Sequence, residues 1–398
     1  MRNAELAMRN VKFCKKFFIG AILVLFAGIF SSCNDDDPVK ARQSSVKHLY
    51  KNGSVKIAVT NSFLANKSKM WEGALLAQDK INADGLLPVH LELVKFDDGG
   101  NSISGMTTAY QIASDNEICA VIGHGYSDIS LPCSLIYQYY GIITFNFIST
   151  VHTLTERNNP LLFSNMPNDI NFGEEIARLC DKNGYKSVII YYLENTSGTS
   201  LSNAFEINCN KRGISVVSRD SYDITTSEQE FDRMTKRWKN NFMFDAIFLA
   251  GRMPLIQQVI SIIRENGINC PIVGSDPFDD PLLTENLSAA ENGKIFAVSN
   301  YDVESEHPRF KEFYSLFKEK FGYEPDQEAL QVYDALLVLS TAIEKAGSAD
   351  SKQVVEKLRH GFWNEAAGSY RFAANGSVQD RKLTAKVFKD GKFVKIPE

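Results

Sequence analysis

Small hydroxyl residues follow two apolar runs of the sequence, close to the point where each run ends. Ser127 and Ser130 come after the run AVI, and Ser149 and Thr150 come after the run ITFNF. Hydroxyl groups and the unpaired N–H groups at a helix start are donors that hold an anion. The types and spacing of these residues therefore predict a site for a small carboxylate or phosphate.

The elements that would position these residues can be read from the same stretch. Residues 120–122 form a short apolar run that stops at a Gly-His-Gly turn, as a buried parallel strand does. Ser130 is predicted to cap a helix whose first turn accepts Pro132, and residues 141–147 read as the next strand. The carboxyl ends of the two strands would lie side by side, where ligands bind in an open parallel sheet.

Strand and helix patterns alternate along residues 54–398. Such alternation predicts an α/β fold with parallel sheets. This body of 345 residues exceeds what one ordinary core supports, so two domains are expected. Near its end, Asn375-Gly376 and Asp390-Gly391 lie between short apolar runs and indicate hairpins.

Residues 1–33 have the pattern of a targeting segment. A basic stretch, RNVKFCKK, precedes an uncharged apolar run of 14 residues at 17–30, and Ser-Ser-Cys33 follows. The run is shorter than the ~20 residues that span a bilayer, which favours cleavage over a retained transmembrane anchor. Small residues before a cysteine resemble a bacterial lipobox, which implies cleavage before Cys33 and a lipid on its thiol. An ordinary signal peptide is the alternative.

The charge balance gives no indication of nucleic-acid binding. The full chain has a formal charge of −5, and removing residues 1–32 takes away five basic residues and one acidic residue, which leaves −9. Residues 34–53 begin with an acidic run and are expected to form a flexible polar linker. The run resembles the acidic segment after the lipid-bearing cysteine in surface lipoproteins of Bacteroidetes-type bacteria. This resemblance adds the outer membrane to the expected locations.

The cysteines beyond Cys33 do not have the spacing of a metal site, because CxxC pairs and paired histidines are absent from the sequence. An odd number of cysteines leaves at least one thiol free, and which of them pair, if any, stays open. They are Cys119, Cys133, Cys180, Cys209 and Cys270.

His124 lies close to Ser127 and Asp128, which invites a comparison with a catalytic triad. The sequence around the serine lacks the second glycine of a G-x-S-x-G nucleophile elbow. A structural, hydrogen-bonding histidine is therefore the favoured interpretation, and catalysis is not expected.

Four segments together resemble one family of proteins. They are VKIAVTNSF, WEGALLAQDKINADGLL, VIGHGYSDISLP followed by YGIITFNFIST, and FGYEPDQEALQVYDALLVLSTAIEKAG. In this order they are similar to the type I periplasmic binding proteins, and within them to the leucine/branched-chain amino-acid binding family. The likeness covers nearly all of residues 54–395.

The resemblance implies two lobes built from Rossmann-like, doubly wound parallel sheets. The chain would cross between the lobes three times, so that each lobe is discontinuous. Residues 54–165 and 298–358 would form the first lobe, and residues 166–297 and 359–398 the second. The ligand would lie in the cleft between them, and the lobes would close on it by a hinge motion.

The resemblance also implies roles for four residues. Ser127, Ser149 and Thr150 match the positions whose hydroxyl and N–H groups hold the α-carboxylate of an amino acid. Asp276, at the end of a strand in the second lobe, matches the carboxylate that holds the α-ammonium group. A zwitterion needs donors at one end and an acid at the other, so this assignment is physically consistent. Plain helix capping is the alternative for Ser127 and Thr150, and an ordinary Ser-Asp-Pro turn is the alternative for Asp276.

Four further residues are candidates for ligand contacts. Trp71 would either stack on a ligand or lie buried on the sheet, and Arg252 would contact an anion or form an interdomain ion pair. Tyr126 stands where the family has a cysteine, and Ser197 where it often has a tyrosine. Together with Ile148, which replaces a small residue, these departures predict that the side-chain pocket has been rebuilt.

The resemblance predicts a binding protein and not an enzyme, with no cofactor and no metal. It would be a monomer, anchored by lipid outside the cytoplasmic membrane. It would deliver an amino acid or a similar small solute to an ABC permease. A ligand-sensing module of the same fold, without a role in transport, is the alternative.

Overall fold

A computed structural model describes residues 37–64 and 68–397 of the chain. The predicted targeting segment and its lipid attachment at Cys33 lie outside these residues. Within the described ranges, no helix is both long and apolar enough to cross a membrane.

The first lobe is built on a parallel sheet whose strands alternate with helices. The strands are β1 (Ser54–Asn61), β2 (His90–Asp97), β3 (Ile118–Ile122), β4 (Ile143–Asn146) and β5 (Leu162–Ser164). Helix α1 (Pro38–Lys51) precedes them, and α2 (Met70–Ala83), α3 (Ser102–Ser114), α4 (Ser127–Tyr139) and α5 (Thr153–Glu156) connect them. The strand order is β2-β1-β3-β4-β5. Every residue of β3 and β4 is buried, as expected for central strands covered by helices on both faces.

The second lobe contains a larger sheet in the order β15-β14-β10-β9-β8-β6-β7. Its parallel strands are β6 (Ser187–Leu193), β7 (Ser215–Tyr222), β8 (Ala246–Ala250), β9 (Ile272–Gly274) and β10 (Ile295–Ser299). The helices are α6 (Asp169–Lys182), α7 (Thr196–Lys211), α8 (Glu228–Asn241), α9 (Leu255–Glu265) and the short α10 (Pro281–Thr284). A hairpin of β14 (Thr384–Lys389) and β15 (Lys392–Lys395) adds an antiparallel edge, with the predicted turn at Asp390-Gly391. The predicted α/β fold with two parallel sheets is confirmed.

After β10 the chain returns to the first lobe, where α11 (Pro308–Phe321), α12 (Gln327–Ala346) and α13 (Ser351–His360) join its core. Helix α12 packs closely on α2, because a Cβ atom at Gly73 would come within 2.3 Å of the carbonyl oxygen of Ala329. Glycine at this position allows the two helices to approach at backbone distance.

A small antiparallel sheet follows, formed by β11 (Trp363–Glu365), β12 (Gly368–Phe372) and β13 (Val378–Gln379). Trp363, Tyr370 and Phe372 are buried in the core of the first lobe. The family resemblance implies that residues 359–398 belong to the second lobe, but the structure divides this segment. Residues 363–379 belong with the first lobe because their aromatic side chains complete its core, and only the final hairpin pairs with the second sheet.

The chain passes between the lobes three times, after β5, after β10 and after β13. Gln331 of α12 joins two of these crossovers, because its carbonyl accepts from Asn165 at 3.1 Å and its side-chain oxygen accepts from Arg381 at 3.0 Å. Arg381 also donates to the carbonyl of Asn165. These buried contacts fix where the hinge segments leave the first lobe.

The predicted flexible linker is replaced by a helix from residue 38 onward, since α1 spans Pro38–Lys51. Arg42 is only 2% exposed, and burial lowers its pKa to about 10. Its guanidinium donates four hydrogen bonds of 2.5 to 3.0 Å, to the carbonyls of Ala113, Asp115, Ile118 and Tyr140. A solvated tether could not hold a buried charge in this way, so this end of α1 is part of the packed domain.

Helix α4 begins at Ser127, four residues before the first helical residue that a cap at Ser130 predicts, and Pro132 therefore lies inside it. Proline within a helix lacks the N–H group that would bond to the carbonyl four residues earlier, here that of Asp128. The hydroxyl of Ser102 donates to this carbonyl instead, at 2.9 Å. A serine on the neighbouring helix α3 thus lets α4 start at the turn after β3.

Candidate ligand-binding site

The two strand-end turns of the first lobe are tied together by hydrogen bonds. The carbonyl of His124 accepts from the hydroxyl of Ser130 at 3.0 Å and from that of Ser149 at 3.4 Å. The two hydroxyl oxygens are themselves 2.6 Å apart. The predicted meeting of the β3 and β4 ends is therefore present, and Ser127 is buried at the first position of α4.

The side chain of His124 belongs to a buried network behind this turn. Its Nδ1 lies 2.8 Å from Asp98 and its Nε2 lies 2.9 Å from the hydroxyl of Tyr137. Asp98 also accepts from Ser62 at 2.7 Å and from the N–H of Gly100 at 3.1 Å. Burial opposes ionisation of Asp98, but the bonds from His124, Ser62 and the N–H group together lower its pKa. Both ring nitrogens of His124 are occupied by partners other than Ser127, so a Ser-His-Asp triad is not formed.

Ser149 uses its polar groups within the first lobe. Its N–H donates to the side-chain oxygen of Asn146 at 2.9 Å, and its carbonyl accepts from the same amide at 2.7 Å. Since its hydroxyl is bonded to Ser130, Ser149 holds the shape of the turn. The next residue, Thr150, is also buried, and its carbonyl accepts from the N–H of Asp169 at 2.7 Å.

Asp169, which is not among the residues predicted from the sequence, brings the second lobe to this turn. It is the first residue of α6, is fully buried, and neither of its carboxylate oxygens has a hydrogen-bond partner among the described residues. Burial raises its pKa to about 6, although the nearby hydroxyls of Ser200 and Thr150 and the charge of His152 favour the ionised form. An unpaired buried carboxylate of this kind is ready to accept a cation.

Asp169 had a signal in the sequence. Asn168 follows a Met-Pro pair and caps α6, because its side chain accepts from the N–H groups of Ile170 and Asn171. Asparagine before an apolar-periodic segment is a helix-start signal. This cap places Asp169 in the first turn of the helix, beside the hinge.

Asp276 lies at the carboxyl end of β9, where a short 3-10 turn spans Asp276–Phe278. Burial raises its pKa to about 7, and the negative charge of Asp169 contributes to the shift. Asp169 and Asp276 therefore lie within electrostatic reach of each other. Two carboxylates in one partly dehydrated space favour a positive ligand group between them.

Arg252 and Tyr126 meet across the cleft. The guanidinium of Arg252, just beyond the end of β8, lies 5.1 Å from the centre of the Tyr126 ring, one residue before Ser127. A second contact between the lobes joins the N–H of Thr196 to the carboxylate of Asp128 at 3.0 Å. Ser197, the next residue of α7, is partly buried beside this contact.

Trp71 and Ile148 are placed mainly by packing. The Trp71 ring packs on the core of the first lobe, edge-on to Phe63 at 6.2 Å, with the ammonium group of Lys95 5.0 Å away. Ile148 is partly buried and contacts the cores of both lobes. Neither Trp71 nor Ile148 has a described contact with Thr150 or Asp169. We call Thr150 and Asp169, where the lobes meet, the polar centre of the site.

A groove of about 460 Å³ opens beside the polar centre. It is lined by residues of both lobes, among them Val151, His152, Thr196 and Ser200. His152 and Ser200 bridge it at 2.9 Å. The groove is adjacent to Thr150 along the chain, since Val151 is one of its lining residues.

The described cysteines do not form a disulfide, and all five of them from Cys119 to Cys270 are free thiols. No group of three or more His, Cys, Asp or Glu side chains within residues 37–64 and 68–397 has the arrangement of a metal site.

A family model described as periplasmic binding protein matches residues 59–392. The chain belongs to the periplasmic binding protein family. The predicted family is thereby confirmed.

Relatives of this periplasmic binding protein cover most of its length. An amino acid binding protein from Pseudomonas aeruginosa is 24% identical, covering 82% of this chain and 87% of its own. A Leu/Ile/Val-binding protein from Rhizobium johnstonii is 26% identical, covering 84% of this chain and 91% of its own. These relatives are binding proteins and not enzymes, which confirms the prediction of a non-catalytic protein.

Among solved structures, an ABC transporter substrate-binding protein from Desulfitobacterium hafniense in complex with Leu is similar over 86% of this chain and 100% of its own. The TM-score is 0.77 and the sequence identity 28%. The two-lobed fold of this periplasmic binding protein therefore matches that of a protein crystallised with an amino acid.

Proposed function

We propose that this protein is the substrate-binding component of an ABC-type importer and captures an amino acid between its lobes. The observation that carries the proposal is the pair of acidic side chains, Asp169 and Asp276, beside the hydroxyl-bearing turns of the first lobe. Burial raises the pKa values of both, and the charge of His152 offsets this only in part at Asp169. An α-ammonium group would supply a positive partner for both carboxylates.

The α-carboxylate would be held by the first lobe. Helix α4 starts at Ser127, so the first N–H groups of the helix have no partner within it and its positive dipole end faces the crevice. The hydroxyls of Ser127 and Thr150 would add two donors. Ser149 would act through the turn, since its own groups are already bonded.

Closure of the lobes would follow from ligand charge. A zwitterion bound only to the first lobe would keep its ammonium group in water, whereas closure brings that group to Asp169 and Asp276. Desolvation strengthens both contacts, so the closed form gains free energy only when a ligand with both charges is present. The bonds Thr196–Asp128 and His152–Ser200 would hold the closed edge.

The relatives support an amino acid as the class of ligand, since two of them are named for amino-acid binding and one solved structure contains Leu. They do not determine which amino acid this chain binds. Ile148, Tyr126 and Arg252 occupy positions where the family pattern differs. The pocket for the ligand side chain would therefore differ from that of the relatives.

We further propose that the mature protein is a lipid-anchored monomer outside the cytoplasmic membrane, with cleavage before Cys33. Metabolic labelling with a radioactive fatty acid tests the anchor. Label is expected in the intact protein and absent from a Cys33→Ala variant, and equal labelling of both would overturn the anchor.

A thermal-shift screen of all common amino acids and of small carboxylates tests the proposed function. A ligand at about 100 times its Kd adds roughly 2.7 kcal/mol to the free energy of unfolding, which is readily visible as a raised Tm. At least one amino acid is expected to stabilise the protein, and its carboxylate-only analogue to do so far less. Stabilisation by the analogue alone would contradict the proposal.

A further inference from the structure

Arg252 differs from three other arginines of the second lobe. Arg219, Arg237 and Arg264 each have a carboxylate partner within 2.9 Å. Arg252 is partly buried, and within the described residues no carboxylate lies close enough to form an ion pair with it. Its described side-chain contact is the ring of Tyr126.

Arg219 sharpens the contrast. Its guanidinium lies over the ring of Tyr192 at 5.1 Å, the same distance that separates Arg252 from Tyr126. Arg219 also donates to Glu206 at 2.5 Å, so its charge is compensated. Stacking on a tyrosine leaves the in-plane N–H donors of a guanidinium available, and at Arg252 these donors lack an anion.

The backbone holds Arg252 in place at the cleft. The hydroxyl of Tyr222 donates to the carbonyl of Ala250 at 3.1 Å, and a Cβ at Gly251 would come within 2.1 Å of the same hydroxyl. The carbonyl of Arg252 accepts from Ile256 in the first turn of α9. A residue fixed in this way is positioned before a ligand arrives.

The charge of Arg252 does not contribute to the pKa shifts of Asp169 and Asp276. The charged groups that shift the pKa values of Asp169 and Asp276 are His152, Asp279 and Asp169 itself. Arg252 acts instead on Tyr126 and Tyr222, whose pKa values burial raises and Arg252 lowers. Glu328 of the first lobe acts on the phenol of Tyr126 in the opposite direction and is the acidic group that faces this end of the cleft.

We propose that Arg252 binds a second carboxylate on the ligand, so that the preferred substrates are amino acids with an acidic side chain. This inference rests on the proposed function and adds the class of side chain. The α-carboxylate would lie at Ser127 and Thr150, the ammonium group at Asp169 and Asp276, and the side-chain carboxylate at the N–H groups of Arg252. The Tyr126 ring would keep the guanidinium plane oriented.

Calorimetric titration with matched pairs of ligands tests the inference. L-glutamate and L-glutamine, and L-aspartate and L-asparagine, differ in charge and hardly in shape. The purified protein is expected to bind the better of the two acids at least about 10-fold more tightly than its amide, the factor expected for charge-assisted bonds to a guanidinium. Arg252→Gln should weaken binding of the acid by about 30-fold or more and binding of the amide by less than about 3-fold. Arg219→Gln, with the same stacking geometry, should leave both unchanged.

Each alternative gives a different outcome. If Arg252→Gln weakens binding of the acid and of the amide equally, the inference is overturned. The arginine would then hold the α-carboxylate, or hold the lobes together through Tyr126 or Glu328. Binding of neutral amino acids without a preference for acids would also overturn it but leave the proposed function intact. Failure of every amino acid to bind would overturn both. The Tm of Arg252→Gln without ligand should equal that of the parent protein, which excludes misfolding.

Discussion

The two sides of the cleft are built in opposite ways. On the first lobe, the polar groups around the proposed ligand position are already bonded to one another, as in the set of His124, Ser130 and Ser149. On the second lobe, Asp169 has no hydrogen-bond partner in the described part of the chain, and Asp276 has a raised pKa. The first side is organised by its own hydrogen bonds, and the second has buried acidic groups whose pKa values are raised.

This difference explains which lobe should determine affinity. Groups that already have hydrogen-bond partners before binding contribute only the difference in free energy between a hydrogen bond to the ligand and the bond that it replaces. A buried carboxylate that lacks a partner gains much more when a cation arrives, because its cost of desolvation has already been incurred in folding. Binding energy should therefore be concentrated on the acidic side.

The largest expected effect comes from removing one carboxylate of the second lobe. Asp276→Asn should weaken amino-acid binding by about 100-fold, since truncating one partner of a buried charge pair costs 2 to about 5 kcal/mol. Calorimetry measures the change, with Asp181→Asn as a control that alters the net charge equally on the surface of the same lobe. A loss of affinity below about 3-fold would mean that Asp276 does not bind the ammonium group.

The pH dependence of affinity should be the next largest effect. The pKa values of Asp169 and Asp276 are raised to about 6 and about 7, and a bound ammonium group would lower both. Binding then releases protons, so affinity should rise as the pH increases from about 5 to about 8, by about 30-fold or more. Titration in buffers with different ionisation enthalpies counts the protons. Uptake of protons on binding would contradict the account.

A donor of the first lobe should matter less than an acid of the second. Thr150→Ala removes one hydroxyl bond to the α-carboxylate, a loss of about 10-fold in affinity. The N–H donors of α4 remain in this variant. An effect larger than that of Asp276→Asn would reverse the comparison between the lobes.

The smallest expected effect concerns the support of the first lobe. Ser102→Ala leaves the carbonyl of Asp128 without its donor and should lower the free energy of unfolding by about 1 kcal/mol. Chemical denaturation measures this, and ligand affinity should change by less than about 2-fold. The control is Ser114→Ala, whose hydroxyl bonds within its own helix on an exposed face.

The sequence was sufficient to predict where the candidate residues of the first lobe lie in the fold and insufficient for those of the second. Ser127 and Thr150 each follow a strand that is recognisable by its apolar run, so neighbouring residues in the chain predict their position. Asp169 reaches the site only because a crossover places the start of α6 under the carbonyl of Thr150. No local pattern contains that contact, although the cap at Asn168 marks the helix start.

Two further differences between prediction and structure have the same origin. The start of α4 could not be predicted because the serine that compensates Pro132 lies 30 residues earlier, on α3. The segment from 34 to 53 was read from its charge alone, and its helix depends on the burial of Arg42 among carbonyls up to 98 residues away. In both cases a distant polar group reverses what the local sequence favours.

The central claim is that the two lobes divide the charges of a zwitterion between them. A calorimetric cycle tests it directly, with the best amino-acid ligand and its des-amino analogue measured on the parent protein and on Asp276→Asn. We predict that loss of the ammonium group weakens binding to the parent by about 100-fold and binding to Asp276→Asn by less than about 10-fold, because the same interaction is removed twice. Independent, fully additive losses would contradict the account.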